Sequence, residues 1–503
     1  MADPVELTPD QWLEYLMNKL DEDLEREPRV TTGNTPTTRR ERLDLLWSYY
    51  LGDPPLPTVA EKYRETFSAV LRKARSNYAI MAIDSMCDRS VLQGIYTAAD
   101  ADLNGDDAAK AVCDASGFAA LQRDMQTWLY TMGESYVTIV PPLAGAPTGT
   151  PPMLLAEDPR FCVGEPDPYN PRMLRAFLKI FVDKIADQQK AILLIPGQRI
   201  VFTREKGQYS NEFVAKQWSA EPATSVPGLE LLGGVPVVRF QNKMGLGEFE
   251  PHLDLLDRIT DGILHRMVIT AFQSFKQRAV KGDLDGGADF SEDTDSLIKS
   301  IADAELTDIF QNDPGVLWML PEGVELWESG TTDLTPLLMA TRDDVKEFGV
   351  CTRIPMHMLI PDGVSQSAEG ASAMREGLID KISDRQARQN PQWILLWQMI
   401  FTLMGKTNVT GIRLQWGKPE RVSLSSKTDA VQKTRGVLSR KRQVVDLMEM
   451  SPELAALNES ELLEEAMASD AAMSALSLGS ATAADPADSA TDPAASPAEK
   501  AAA

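Results

Sequence analysis

The run Ile354-Pro355-Met356-His357-Met358-Leu359-Ile360-Pro361-Asp362-Gly363-Val364-Ser365-Gln366-Ser367-Ala368-Glu369-Gly370 decides how this chain is read, inside a longer stretch from Asp333 to Met404. Helical periodicity from Leu334 to Thr352 meets Pro355 and Pro361, each of which disfavours α geometry in the preceding residue and removes a backbone donor. The helix must stop there. Beyond Gly363, Ser365 and Ser367 offer N-caps, and Ala371, Met374, Leu378, Ile382 and Ala387 return at steps of three to five. The pattern resumes past Pro391 with Trp393, Ile394, Leu396, Trp397, Ile400 and Leu403, which predicts one helix of about 35 to 40 residues kinked near Asn390-Pro391. On these residues alone the segment reads equally well as a helical hairpin in the core of a large protein.

Composition sets the outer limits. With 503 residues, 43% hydrophobic and 25% charged, the chain can bury a sizeable core and is expected to form several subdomains. No window approaches 18 uninterrupted apolar residues, and Met1-Ala2-Asp3-Pro4-Val5-Glu6 has neither the basic nor the apolar part of a signal peptide, so the chain is expected in the cytosol where it is made. Cys87, Cys113, Cys162 and Cys351 lie far apart, which favours free thiols over disulfides or zinc ligands. The formal charge of −24 is concentrated: residues 281–330 carry −11 and residues 451–503 carry −9. By contrast Arg421, Lys427, Lys433, Arg435, Arg440, Lys441 and Arg442 face one acid, Asp429, between positions 421 and 442.

Along the chain, Pro9 to Glu27 is predicted to form an amphipathic helix with Trp12, Leu13, Leu16, Leu20 and Leu24 on one face. It reads either as an interaction arm or as an ordinary packed helix. Helices are expected at Arg39 to Tyr50 and Glu61 to Val91, the second carrying Arg64, Arg72, Lys73 and Arg75. From Gly133 to Asn242 short β-branched and aromatic runs at 135–140, 174–182, 191–195, 199–204, 212–218 and 235–240 predict an antiparallel sheet laid against the preceding helices. Pro251 to Lys281 is expected to be a helix of about 28 residues, roughly 42 Å long. Strand candidates follow at 315–320 and 324–327. Residues 405–416 suggest a strand pair, 425–449 two helices parted near Gly436, and the Ala/Ser/Asp/Pro-rich chain beyond Ala466 is expected to be disordered.

Catalytic and cofactor motifs are not found. Gly411 to Lys418 has five residues between its glycines and ends in Pro419, so it is not a nucleotide-binding P-loop. Gly282-Asp283-Leu284-Asp285-Gly286-Gly287 starts like a calcium loop, yet Thr294 stands where a bidentate Glu is required. The three histidines, His252, His265 and His357, have no nucleophile or carboxylate at a telling spacing. The expectation is a protein with no catalytic residue, no metal and no cofactor.

The runs Thr332-Asp333-Leu334-Thr335-Pro336-Leu337-Leu338, Ile354-Pro355 and Gln366-Ser367-Ala368-Glu369-Gly370-Ala371, together with Val235-Pro236-Val237-Val238-Arg239-Phe240-Gln241-Asn242, Leu45 to Pro57 and Arg75-Ser76-Asn77-Tyr78-Ala79, resemble the portal proteins of tailed bacteriophages. The likeness is to the siphovirus type of actinobacteriophages, a head-to-tail connector, and it covers roughly 39–450. The resemblance implies an α+β, mainly helical fold: an N-terminal arm (1–38) and a wing of helices then antiparallel sheet (39–250). A first stem helix (251–280), a small α/β clip (281–332) and a second stem helix (333–353) follow. The rest is a tunnel loop (354–367), a kinked channel helix (368–404), a C-terminal wing strand and helical crown (405–465), and a disordered acidic tail (466–503).

The same resemblance implies a function without catalysis. Such chains close into rings, usually of twelve, at one capsid vertex, and double-stranded DNA enters and leaves through them. The implied partners are the chain itself, that DNA, the terminase large subunit, a head-completion adaptor, and major capsid and scaffolding proteins, with no membrane. The implied places are the virion and, during assembly, the host cytoplasm. Met356, His357, Met358, Leu359, Ile360, Pro361 and Asp362 would form the tunnel loop facing DNA. Lys427, Lys433, Arg435, Arg440, Lys441 and Arg442 are candidates for a crown that touches packaged DNA, or for pairing with Glu449, Glu453 and neighbours between subunits. Asp283, Asp285, Asp289, Glu292, Asp293 and Asp295 are candidates for the partner-binding clip. The alternative is a non-catalytic DNA-binding or scaffolding protein acting as monomer or dimer, against which a pI of 4.6 weighs.

Overall fold

A computed structural model of the chain describes residues 7–24, 35–56, 71–97, 106–142, 145–147, 149–205, 217–225, 234–274, 278–281, 325–328, 333–360, 368–406, 409–420, 424–450 and 452–481. The described chain is α+β and mainly helical, as the resemblance implies. It divides into two compact units, residues 1–99 with 106–421, and residues 422–503 with 100–105.

In the first unit, Thr8 caps helix α1 (Pro9–Leu20), its hydroxyl accepting from the Gln11 amide while the Gln11 side chain accepts from the Thr8 amide. Trp12, Leu13, Leu16, Met17 and Leu20 are buried together with Val163, Leu178 and Phe202 of a sheet, so α1 is a packed helix. It ends at Leu20 rather than Glu27, because residues 22–24 turn to bond residues 37–39. That sheet joins β4 (Cys162–Pro166), β5 (Leu174–Asp183), β6 (Gln188–Ile195), β7 (Gln198–Glu205) and β8 (Ser219–Ala220) in antiparallel order, with β9 (Thr224–Ser225) also on β7. The expected single sheet is in fact two. A separate three-stranded sheet holds β10 (Val237–Gln241), β2 (Glu134–Val140) and β3 (Met153–Glu157) in that order.

Helix α2 (Arg39–Leu51) forms as expected. The helix expected over 61–91 is broken at 75–77, where the Asn77 side chain caps a new helix, α3 (Tyr78–Cys87). A local cap outcompetes continuation. Strand β1 (Leu92–Tyr96) follows, then α4 (Asp107–Ser116) and α5 (Phe118–Met132). The side-chain amides of Gln122 and Gln126 donate to the Ser90 carbonyl at 3.2 and 2.8 Å, so these buried polar groups fasten α5 to the start of β1.

Helix α6 (Leu253–Ser274) is 22 residues, shorter than expected: a 3-10 turn precedes it and strand β11 (Arg278–Lys281) follows. At about 1.5 Å per residue it spans roughly 33 Å. Strand β12 (Glu325–Glu328) pairs antiparallel with β11, and α7 (Thr335–Thr352) returns. The acidic candidates from Asp283 to Asp295 and the strand expected at 315–320 lie outside the described residues. A helical turn, α8 (Met356–Leu359), leads to α9 (Ala368–Leu403), 36 residues with Pro391 inside it. Among the described residues of 405–416, where a strand pair is expected, there is one strand, β13 (Arg413–Trp416), and its antiparallel partner is β1, far upstream in the chain.

The main core of this unit gathers α2, α3, α5, the start of α6, the three-stranded sheet and α9. Its centre is aromatic. The Trp393 ring lies 5.4 Å from Phe118 and 4.8 Å from Phe240, which locks α9 onto α5 and β10.

The second unit holds α10 (Leu424–Lys433), a turn at Gly436, α11 (Arg440–Arg442) running into a π-helical turn, and α12 (Pro452–Ala481). The helix continues past Ala466 as far as Ala481, a stretch for which the composition predicts disorder; alanine's high helix propensity outweighs the loss of large side chains. Residues 482–503 lie outside the described residues.

Candidate functional site

Helices α6 and α7 lie side by side and antiparallel. Arg258 donates from Nε to Asp344 at 3.0 Å and also pairs with Glu347, while Gly262 meets Thr341 so closely that a Cβ there would sit 2.9 Å from its Oγ1. Arg258 is half exposed, so its pairs are worth about 1 kcal/mol at most; the close approach at Gly262 and burial of Val345 and Phe348 hold the helices more firmly.

At the foot of α7 the chain turns sharply. Arg353 takes a left-handed backbone with φ of 60°, and the Ile354 amide reaches back to the Gly349 carbonyl at 2.8 Å. Gly349 is small for a reason: a Cβ there would lie 2.7 Å from Leu359 Cδ1. The residues named as a tunnel loop therefore do not all face outward. Ile354 and Leu359 are buried in the main core, Met358 and Ile360 pack against it, and His357 is exposed. The expectation that the tunnel-loop residues Met356 to Asp362 face DNA is corrected for Leu359, because one turn of helix folds it under α7. Pro361 and Asp362 lie outside the described residues.

Beneath the turn sits a buried carboxylate that no motif announces in the sequence. Glu248 accepts from Lys381 at 2.8 Å, from Arg385 at 2.5 and 3.2 Å, and from Asn242 at 2.9 Å. Burial alone would raise its pKa, but the two cations and their hydrogen bonds win and bring it down to about 2. Lys381 also donates to the Thr352 carbonyl at 3.0 Å, satisfying an end-of-helix acceptor of α7. One cluster thus joins the loop before α6, the last turn of α7 and the middle of α9. It forms one wall of a cleft of about 480 Å³ that is also lined by Lys243, His252, Cys351 and Arg353.

A second cluster ties α2 to the three-stranded sheet. Glu134, at the head of β2, lies between Arg39 of α2 at 2.6 Å and Arg239 of β10 at 2.7 Å, and these guanidinium groups hold its carboxyl far below the usual carboxylate range. The signal that could have found it is a lone charge within an apolar run, Arg239 between Val238 and Phe240 and Glu134 before Ser135-Tyr136-Val137. Such charges are buried only when paired.

In the second unit, Lys427 pairs with Glu449 at 2.6 Å. Lys433, Arg435, Arg440 and Arg442 are exposed and Lys441 is half-buried, so four of the six crown candidates stand fully at the surface. Among the described residues, no group of three or more His, Cys, Asp or Glu is placed to hold a metal ion, and no helix is long and apolar enough to cross a membrane.

No known protein family and no curated protein matches the chain. Among solved structures it is similar to a chain from the neck of the native gene transfer agent particle computed with C12 symmetry, at 12% identity and a TM-score of 0.40, covering 76% of this chain and 91% of that one. A chain from the neck of the empty particle computed with C6 symmetry matches at 11% identity and a TM-score of 0.41, covering 84% and 95%. A chain of the native gene transfer agent virion matches at 11% identity and a TM-score of 0.36, covering 76% and 91%.

Proposed function

We propose that this chain is the subunit of a phage-type portal: a ring, of twelve copies in the family it resembles, at one capsid vertex, through which double-stranded DNA is packaged and ejected. The observation that carries the reading is the order of elements in the stem. Helix α6 runs out, β11 and β12 pair to close an excursion, α7 runs back beside α6, and after one helical turn the 36-residue α9 begins. That is the order of stem, clip, second stem helix, loop and channel helix that the sequence resemblance implies.

In this reading the protein is a conduit and not an enzyme. Terminase supplies the ATP hydrolysis, and the excursion between β11 and β12, with its net −11 over residues 281–330, is the docking site for terminase and later for the head-completion adaptor. A ring requires a heterologous contact, one face of each subunit docking on a different face of the next until rotation closes it. An acidic lining lets DNA slide, since duplex DNA carries about one negative charge per 1.7 Å of axis.

The test is negative-stain electron microscopy with mass photometry on the purified full-length chain. Rings with a central hole and a mass near twelve times the 55.4 kDa of one chain are the expected result. Particles with the mass of one or two chains and no hole would instead favour a non-catalytic scaffolding protein working as monomer or dimer.

A further inference from the structure

The second unit contains too little core to account for its apolar side chains. Among its described residues Ala455 and Gln443 are buried, whereas Leu424, Val437, Leu454, Leu457, Leu463 and Met467 are all more than half exposed. A helix apolar on more than one side belongs in an interior. The spacing in α12 sharpens this point. Leu454, Leu457, Glu461 and Glu464 recur at steps of three and four, which places them on one face of the helix, with Glu465 beside them. Leu463 and Met467 fall on a different face.

The basic segment is the counterpart. Val437, 82% exposed, projects from the turn at Gly436 between Lys433 and Arg435 on one side and Arg440, Lys441 and Arg442 on the other. One segment therefore offers an exposed apolar tip flanked in sequence by cations, and another offers apolar side chains continued by carboxylates. The two are complementary in charge and in apolar content, and both lie on the same unit. Within the chain, Lys427 and Glu449 already make one such pair, while Lys433, Arg435, Arg440 and Arg442 and the α12 carboxylates Glu459, Glu461, Glu464 and Glu465 are exposed.

We infer that the occupant of each surface is a second copy of this chain: the Lys433 to Arg442 segment of one subunit docks on the Leu454–Glu464 face of α12 in the next. The contact is heterologous and repeats head to tail, so it rests on the ring reading for its closure. Leu463 and Met467, on the other face of α12, are then covered from the other side. The basic segment is an assembly element, and packaged DNA is not its ligand.

Charge exchange in the full-length protein tests this. The variants are R440E/K441E/R442E, E461K/E464K/E465K, and all six substitutions together, each compared with wild type by mass photometry across protein concentration and salt. Five of the six substituted side chains are exposed and Lys441 is half-buried, so circular dichroism and thermal unfolding of the free chain should stay close to wild type. Each triple variant should raise the concentration for half-assembly by about tenfold or more, and the sixfold variant should return it to within about threefold, because the pairs re-form with reversed sign. Wild-type assembly should weaken as salt rises.

The inference is overturned if wild type stays monomeric throughout, if E461K/E464K/E465K assembles normally, or if the sixfold variant is no better than either triple. Normal assembly of R440E/K441E/R442E with loss of duplex-DNA retention on a filter would make DNA the occupant. Oligomers that obey the charge exchange but lack a central hole would overturn the conduit and leave this contact standing. Holed rings indifferent to the exchange would do the reverse.

Discussion

Glu248 shows how one carboxylate can set the geometry of three segments. Its oxygens take hydrogen bonds from Lys381 and Arg385 of α9 and from Asn242, and Lys381 carries the link on to the last turn of α7. Removing the acid leaves the buried Lys381 with the Thr352 carbonyl alone and the half-buried Arg385 with Asp384 alone, and breaking such a buried pair costs about 3–5 kcal/mol where a well-packed apolar replacement of the whole group costs far less. Glu248→Gln is therefore expected to destabilise the first unit by about that amount in urea denaturation. The same residue imposes a pH dependence. Its carboxyl falls from 4.5 to about 2 on folding, so its contribution is complete above pH 4.5 and is lost as pH falls toward 2. Wild type should lose stability over that window more steeply than Glu248→Gln does, and parallel pH profiles would remove Glu248 from this role.

At the scale of elements, the decisive contact is the approach of α6 to α7 at Gly262. The sign of a substitution depends on size. Alanine gains about 1 kcal/mol of helix propensity over glycine but displaces the Thr341 hydroxyl from its 3.0 Å hydrogen bond to the Leu337 carbonyl, a loss of similar size, so Gly262→Ala should be close to neutral. Leucine cannot be accommodated without parting the helices, and Gly262→Leu should cost about 1–3 kcal/mol and lower the yield of assembled particles. Equal urea midpoints for the two variants would show that the helices are not held by this contact.

What is legible at this scale is what is locally encoded. The proline at 355 and the spacing around it fix the end of α7 and the start of a new helical turn, and α2, α7, α9 and strands β2, β5 and β7 lie within a few residues of expectation. What is not legible depends on partners far away in the chain. β13 has no periodicity that names β1, the sheet between 134 and 241 gives no local sign of splitting in two, and the Asn77 cap breaks a helix whose apolar pattern runs on without interruption. The buried clusters at Glu134 and Glu248 escape for the same reason: a glutamate on paper is a surface residue until its arginines arrive from 95 and 137 residues away.

Over the whole molecule the two units differ in how they can be stable. The first buries aromatic and aliphatic side chains in a main core and a second core around α1. The second exposes Leu424, Val437, Leu454, Leu457, Leu463 and Met467, so it buries little apolar surface of its own. Local opening in an isolated chain should therefore be frequent between 424 and 481 and should be suppressed on assembly. Trypsin reports this directly, since Lys433, Arg435, Arg440 and Arg442 are exposed cleavage sites within that unit. In the free chain, cleavage after these residues should be fast and should leave a large fragment ending between positions 433 and 442. In the assembled fraction the same bonds should be cut about tenfold more slowly, while Lys184, exposed on the tip of the β5–β6 hairpin, serves as a site whose rate is set by the free hairpin alone. Slowing at both places would mean general occlusion, and equal rates at 433–442 in free and assembled protein would show that assembly leaves the second unit as open as it found it.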